Sequence, residues 1–355
     1  MRKKVLGILL SATFVIPTVS YAQTDVQAST NSKDIVAQAV VQKTGWQQEN
    51  GHWYYYGADG KKKKGWFYDG KNTYYLDEYT GARQTGWEWF RDEKTGEYKY
   101  YYFASDGIMQ TGWLQLDGHW YYLDKTGLRQ TGWITVDGSK YYLNSGGIVQ
   151  TGWEWFRDEK TGEYKYYYFA SNGVMQTGWL QVDGNWYYLD GNGLRQTGWL
   201  SSGGNWYYLS SGGVMETGKV NIGNYNYYFS SNGVMQTGWF LRDKYWNYAL
   251  SNGVLKTGWL HDGGKWYYLN SSGNMETGWV RDGDNTYYLD KSTGVMRTGW
   301  VYDSYDWYYL DGSGVKQRGW KYIGGNWYYF SSYDGAMKSS TYIDGYYLGP
   351  TGAMQ

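Results

Sequence analysis

The sequence predicts an all-β fold, a β-solenoid of about fifteen hairpin units, and three observations carry that prediction. A Gly-Trp dipeptide returns on a fixed beat from Gly45 onward. A WYYL-like run follows the Trp of a standard unit at a spacing of seven residues. Between the two lie pairs such as Asn50-Gly51, Asp117-Gly118, Asp137-Gly138 and Asp183-Gly184. A two-residue type I′ turn asks for such pairs, because both central residues need φ > 0.

The repeated Trp residues are 46, 66, 87, 113, 133, 153, 179, 199, 239, 259, 279, 300 and 320, with Lys219 standing in for one. Spacings are 20 residues in most cases, 21 in a few and 26 twice. The long units share WEWFRDEKTGEYKYYYF, starting at Trp87 and Trp153, and insert six residues at the hairpin tip. Units of 21 residues add one between the YYL run and the next Gly, as from Leu76 to Gly81. Length thus varies only in turns, as expected when strands are packed and turns are solvated.

In the unit at Trp113 a two-residue turn pairs Trp113 with Tyr122, Leu114 with Tyr121, Gln115 with Trp120 and Leu116 with His119. Side chains alternate along a strand, so Trp113, Gln115, Trp120 and Tyr122 share one face. Leu114, Leu116, Tyr121 and Leu123 share the other. With its tip at Glu93 to Gly96, the long unit places Trp87 opposite Tyr102 and Trp89 opposite Tyr100. A lone hairpin is not stable in water, and both faces here are apolar, so each must be covered by the next unit.

Composition narrows the function. The chain has 23 Trp and 44 Tyr against 9 Phe, and flat rings with a polar handle suit partly exposed contacts better than a closed core. The 33 basic residues are matched by 33 acidic ones, which leaves no excess to neutralise a phosphate backbone, so nucleic acid is not an expected partner. No Cys is present, which removes disulfides and thiolate zinc sites. Arg2-Lys3-Lys4, the apolar stretch Val5 to Val19 and the small-x-small triplet Ser20-Tyr21-Ala22 read as a signal peptide over 1–22. The expected organisation is that leader, a linker over 23–43 and repeats over 44–355, with no transmembrane segment after cleavage. His52, His119 and His261 lie at or near turns, and no HExxH, GxSxG or metal-ligand cluster is present. The chain is therefore expected to be non-catalytic and to need no cofactor.

Two Trp and a Tyr on one face of a thin hairpin exceed what a neighbour of 20 residues covers. A partly open cluster of ring faces suits a quaternary ammonium ion, which has no N–H to donate to a carboxylate. The string TGW-x(6)-WYYL-x(3)-G-[VA]-M-x-TGW, as in Trp199 to Trp206 with Gly213-Val214-Met215, resembles the choline-binding, or cell-wall-binding, repeat of streptococcal surface proteins. The resemblance covers residues 44 to 355. It implies a superhelical solenoid holding choline between consecutive repeats, and phosphocholine on teichoic or lipoteichoic acid as the natural target. It further implies a cage made of both tryptophans of one repeat, a tyrosine from the next and often a Met between them.

Carried over on that resemblance, the best cages are Trp199, Trp206 and Tyr228 with Met215; Trp259, Trp266 and Tyr288 with Met275; and Trp320, Trp327 and Tyr347 with Met337. Trp46, Trp53 and Tyr75 carry Lys62 at the Met position, and Trp113, Trp120 and Tyr142 carry Arg129. Trp179, Trp186 and Tyr208 carry Arg195, Trp239, Trp246 and Tyr268 carry Leu255, and Trp300, Trp307 and Tyr329 carry Lys316. Thr73, Lys140, Asn226 and Thr286 replace the hairpin Trp in their units, and Lys219 replaces the Gly-Trp tryptophan. These read as spacers. The unit at Lys219 is expected to gain a site on Lys219→Trp with Asn226→Trp, with Tyr248 as third wall and Met235 between.

The expected protein is thus secreted, held non-covalently on a Gram-positive cell wall, and active as an adhesin or as a modulator of choline-anchored hydrolases. A host surface protein is a further candidate partner. The alternative is a glucan- or polysaccharide-binding repeat protein, since Trp and Tyr platforms also stack on sugars.

Overall fold

A computed structural model describes residues 42–92, 94–157 and 161–355. The leader over 1–22 and all but the last two residues of the linker over 23–43 lie outside the described residues. The described residues form thirty strands and no helix. The strands pair consecutively into fifteen two-stranded antiparallel sheets, so each repeat is one hairpin. No helix among the described residues is long and apolar enough to cross a membrane. Backbone proximity divides the described residues into two compact bodies, 42–86 with 105–108, and 87–104 with 109–355.

The strand register follows the side-chain alternation. Gly112–Leu116 pairs with His119–Leu123, with Trp113 opposite Tyr122 and Gln115 opposite Trp120. The long unit Gly152–Arg157 with Tyr164–Phe169 keeps Trp153 opposite Tyr168 and Trp155 opposite Tyr166. The ring face of the long unit therefore keeps the register of the standard one. The turns carry the left-handed backbone that their sequence demands: φ is 49° at Asp117 and 79° at Gly118. Ser304 and Tyr305 adopt the same conformation without a glycine, at 50° and 73°, and carry the strain that side chains meet there.

After each hairpin the chain turns back and adds a short third segment. In the unit at Trp113, Asp124 accepts the backbone N–H of Thr126 and Leu128 on Oδ1, which closes the turn locally. The returning residue Arg129 then bridges Leu123. Its N–H donates to Tyr100 O of the preceding unit at 2.9 Å, while the next residue, Gln130, donates to Tyr122 O of its own unit at 2.8 Å. One segment thus stitches two hairpins together. The same stitch recurs from Met215 to Trp186, Met235 to Trp206 and Met275 to Trp246, each at 2.8 Å.

Beneath the stitch sits the core. The residue ending the second strand is fully enclosed in unit after unit, as with Phe103, Leu123, Phe169 and Leu189 at 0% exposure. The core is therefore made of single apolar side chains, one in every repeat but the first, rather than of a central globule.

Candidate functional site

Hairpins stack head to tail, so the Trp face of one unit meets the opposite face of the next. Ring contacts fix the pairing. Trp199 lies 5.2 Å from Tyr208 of its own hairpin and 4.9 Å from Tyr227 of the next. Trp113 likewise meets Tyr141 at 4.7 Å, Trp179 meets Tyr207 at 4.7 Å, and Trp259 meets Tyr287 at 4.6 Å. These edge-on contacts each add roughly 0.5–1.5 kcal/mol to the interface between repeats.

Open clefts form at several of these interfaces. One of about 340 Å3 is lined by Trp179, Trp186, Tyr207, Met215 and Asn232. Another, of about 400 Å3, has Trp259, Trp266, Tyr287 and Met296 with the turn residues Gly312 and Ser313. Two of about 430 Å3 are lined by Trp300, Trp307, Tyr328 and Met337, and by Trp320, Trp327, Tyr346 and Met354. A cleft therefore draws on three repeats: two tryptophans from the first, a tyrosine and a methionine from the second, and in three of these four a turn from the third. The tryptophans meet edge to face at 6.3 Å in the units at Trp199, Trp259 and Trp300. The hairpin tryptophan keeps much of its surface open, 49% at Trp206.

The structure brings Trp113 and Trp120, Trp179 and Trp186, Trp199 and Trp206, Trp259 and Trp266, and Trp300 and Trp307 into ring contact as expected from the sequence, but it moves the other two walls. Tyr75, Tyr142, Tyr208, Tyr228, Tyr268, Tyr288, Tyr329 and Tyr347 do not line the cleft of the preceding unit. Each faces across its own hairpin to Trp66, Trp133, Trp199, Lys219, Trp259, Trp279, Trp320 and Tyr342 respectively. The cleft takes the residue just before, as Tyr207, Tyr227 and Tyr287 show. The reason is the two-residue period of a strand: a tyrosine on the Trp face cannot also lie on the face that covers the previous unit.

The methionines shift by one repeat for a related reason. The stitch carries the returning residue onto the hairpin tryptophan of the preceding unit, so Met215 lines the Trp179 cleft rather than the Trp199 cleft. Met275 belongs with Trp239 and Trp246, and Met337 with Trp300 and Trp307. Val149 takes this place beside Trp120. Arg129, Arg195 and Lys316 are therefore not liners of the clefts at Trp113, Trp179 and Trp300.

Those cations sit one unit earlier, against rings. The Arg129 guanidinium lies 4.2 Å from the Tyr100 ring and 5.6 Å from Trp87. Arg195 lies 4.1 Å from Tyr166 and 5.7 Å from Trp153. Arg83 lies 5.8 Å from both Trp46 and Trp53, and the Lys316 ammonium 4.5 Å from Trp279. Burial pushes the Arg83 and Arg129 guanidiniums below their ordinary range. It does the same to the Lys316 ammonium, with Arg318 adding to the effect and Asp334 opposing it.

A polar partner that the sequence reading missed orients the indoles. Trp239 Nε1–H donates to Asp262 Oδ2 at 3.0 Å, Trp259 to Asp282 at 3.0 Å, and Trp320 to Asp344 at 2.8 Å. Ser202 accepts from Trp179 at 3.2 Å. The only sequence signal is a spacing of 23 or 24 residues from the tryptophan to an acceptor at or just before the next hairpin tip. Asp303, which accepts from Trp279 at 3.1 Å, also accepts from Lys291, and that ammonium holds its carboxyl below the usual carboxylate range.

The unit at Lys219 departs further than its sequence suggests. Its third wall would be Asn247, not Tyr248, and its returning residue is Leu255, whose N–H donates to Asn226 O. Asn247 is fully buried, with Nδ2 donating to Tyr245 O at 2.8 Å and Oδ1 unpaired among the described residues. Phe240 stacks on Tyr228 at 5.1 Å and closes over Ala249 and Leu255. This interface is packed rather than open.

Repeated aromatic clefts on a ladder of stitched hairpins define a repeat protein that presents like sites along its length. Residues 43–87, 91–127, 157–194, 177–216 and 256–298 match the choline-binding repeat, which spans more than half of the chain. Residues 131–148, 220–235, 298–316 and 319–337 match the putative cell wall binding repeat. Choline binding protein F from Streptococcus pneumoniae is 31% identical over 69% of this chain and 98% of its own, with a TM-score of 0.52. CbpJ from the same species is 33% identical over 76% of this chain and 100% of its own, with a TM-score of 0.46. A comparison with curated proteins returned no match. The chain belongs to the choline-binding repeat family.

Proposed function

We propose that the protein binds choline through seven open clefts, those opening at Trp113, Trp179, Trp199, Trp239, Trp259, Trp300 and Trp320. Its natural target on this reading is phosphocholine on teichoic or lipoteichoic acid, which holds it non-covalently on the cell wall as a non-catalytic adhesin or modulator of wall hydrolases. The observation that carries the reading is the recurrence of two tryptophans and a tyrosine, with half-open ring faces, in clefts that lack a fixed cation. Methyl groups of a quaternary ammonium ion contact such faces well, and each cation–π contact contributes roughly 0.5–2 kcal/mol. The indole-bound carboxylates Asp262 and Asp282 add negative potential beside the rings without needing an N–H from the ligand.

Single sites of this kind are weak, and linkage makes them strong: joined sites gain roughly 10²–10⁴ in avidity without new contacts. Tight retention on a choline-bearing matrix and release by free choline are therefore expected. Equal retention on an ethanolamine matrix would show that the methyl groups do not matter. Release by dextran in place of choline would favour a polysaccharide ligand.

A further inference from the structure

Four clefts of the ladder already hold a positive charge supplied by the chain itself. Arg83 enters the one built from Trp46, Trp53 and Tyr74, in which Trp46 and Tyr74 rings meet at 4.8 Å. Arg129 and Arg195 enter the clefts of the two long units, where Trp87 meets Tyr121 at 5.2 Å and Trp153 meets Tyr187 at 4.9 Å. Lys316 enters the cleft of Trp279 and Tyr308, whose rings are 4.8 Å apart. All four occupy the position that Met215, Met235 and Met337 hold in the open clefts.

The seating of these side chains is that of a ligand. Arg83 Nη2 donates to Ser105 O at 3.1 Å, Arg129 Nη2 to Ser145 O at 3.4 Å, and Lys316 Nζ to Asp334 O at 2.8 Å. Each acceptor lies on the turn of the repeat two units further on, the same turn that lines the open clefts. The stem of the side chain runs beneath the glycine of that turn. A Cβ on Gly147 would come within 2.7 Å of Arg129 Cδ, and one on Gly213 equally close to Arg195 Cδ. The Nε atoms of Arg83, Arg129 and Arg195 are buried without a hydrogen-bond partner, so the ring faces are what these guanidiniums gain on entering.

We propose that Arg83, Arg129 and Arg195 are built-in occupants of choline-type clefts, which close those interfaces to the external ligand, and that these three and Lys316 lock adjacent repeats together whether or not choline is present. The inference rests on the choline reading above. A tethered cation competes at an effective concentration on the order of millimolar, and it is never lost to dilution. The residue returning from each hairpin therefore decides the state of the preceding cleft. Met or Val leaves it open, and Arg or Lys fills it.

Calorimetric titration of the full chain with choline tests this. The native chain is expected to bind seven cholines, and Arg83→Met to bind one more, because its cleft then has both tryptophans, the tyrosine and a methionine. Arg195→Met, which exposes Trp153, Tyr166 and Tyr187, is expected to add one as well and guards against a folding defect at Arg83. Lys316→Met is expected to add none, since Thr286 leaves that cleft with only two rings. A folded Arg83→Met and a folded Arg195→Met that both keep the native stoichiometry would overturn the proposal. No choline binding by the native chain would instead defeat the choline reading itself.

Discussion

Replacing Phe229 by alanine is expected to destabilise its region of the ladder by about 3–5 kcal/mol. The side chain is fully buried, and its ring lies 5.9 Å from Trp199 and 6.5 Å from Tyr208. It supports from below the tryptophan that forms one wall of a cleft, so choline affinity there should fall as well. Alanine does occur at the equivalent place, Ala249, but there Phe240 and Leu255 crowd in to fill the volume. Val220 takes the place of Phe240 beneath Phe229, so less side-chain volume is available to fill a void. Phe229→Leu, the residue found at Leu209 and Leu269, should cost under about 1.5 kcal/mol. Denaturant unfolding followed by Trp fluorescence measures both. A cost below 1 kcal/mol for Phe229→Ala would mean that the single enclosed side chains are not what holds the repeats together.

The interrupted unit offers the second large effect. The pair Lys219→Trp and Asn226→Trp restores two walls, and the sequence alone suggests that this suffices. The structure places Asn247 on the third wall and turns Tyr248 away, toward Trp239 of its own hairpin at 5.2 Å. The double variant is therefore expected to leave choline stoichiometry unchanged, and the triple variant with Asn247→Tyr to raise it by one per chain. Phe240 is no obstacle to the new tryptophan, because Trp46 already sits 5.9 Å from the corresponding Phe67. The new Tyr also removes the unpaired buried Asn247 Oδ1, a group whose burial costs roughly 1–3 kcal/mol. An added site in the double variant, or none in a folded triple variant, would refute this composition of the cleft.

Most of the fold was legible in the sequence because it is local. A turn pair such as Asp117-Gly118 and an alternating pattern on either side define a hairpin without reference to anything distant. The two tryptophans of a cleft share one hairpin face, and the period of a strand was enough to place them together. The tyrosine and methionine belong to the next repeat, and locating them requires the stacking direction and the stitch. The alternation had already set Tyr121 and Leu114 on the face opposite Trp113. Applying that division to the neighbour yields Tyr141 rather than Tyr142. The stitch left no comparable trace, because a backbone N–H reaching the previous hairpin has no residue signature. For the same reason Arg129 and Lys316 read as blemishes in their own units rather than as occupants of the unit before.

Each cleft takes the tyrosine of the covering face, and Tyr227 and Tyr228 separate this arrangement from its alternative within two adjacent residues. Choline stoichiometry by calorimetry on Tyr227→Leu and Tyr228→Leu, each confirmed as folded, is the direct measurement. Tyr227→Leu removes the ring that stands 4.9 Å from Trp199 and is expected to lose one choline per chain. Tyr228→Leu trims a ring stacked on Phe240 and is expected to keep them all. Loss of a site from Tyr228→Leu with none from Tyr227→Leu would contradict the account.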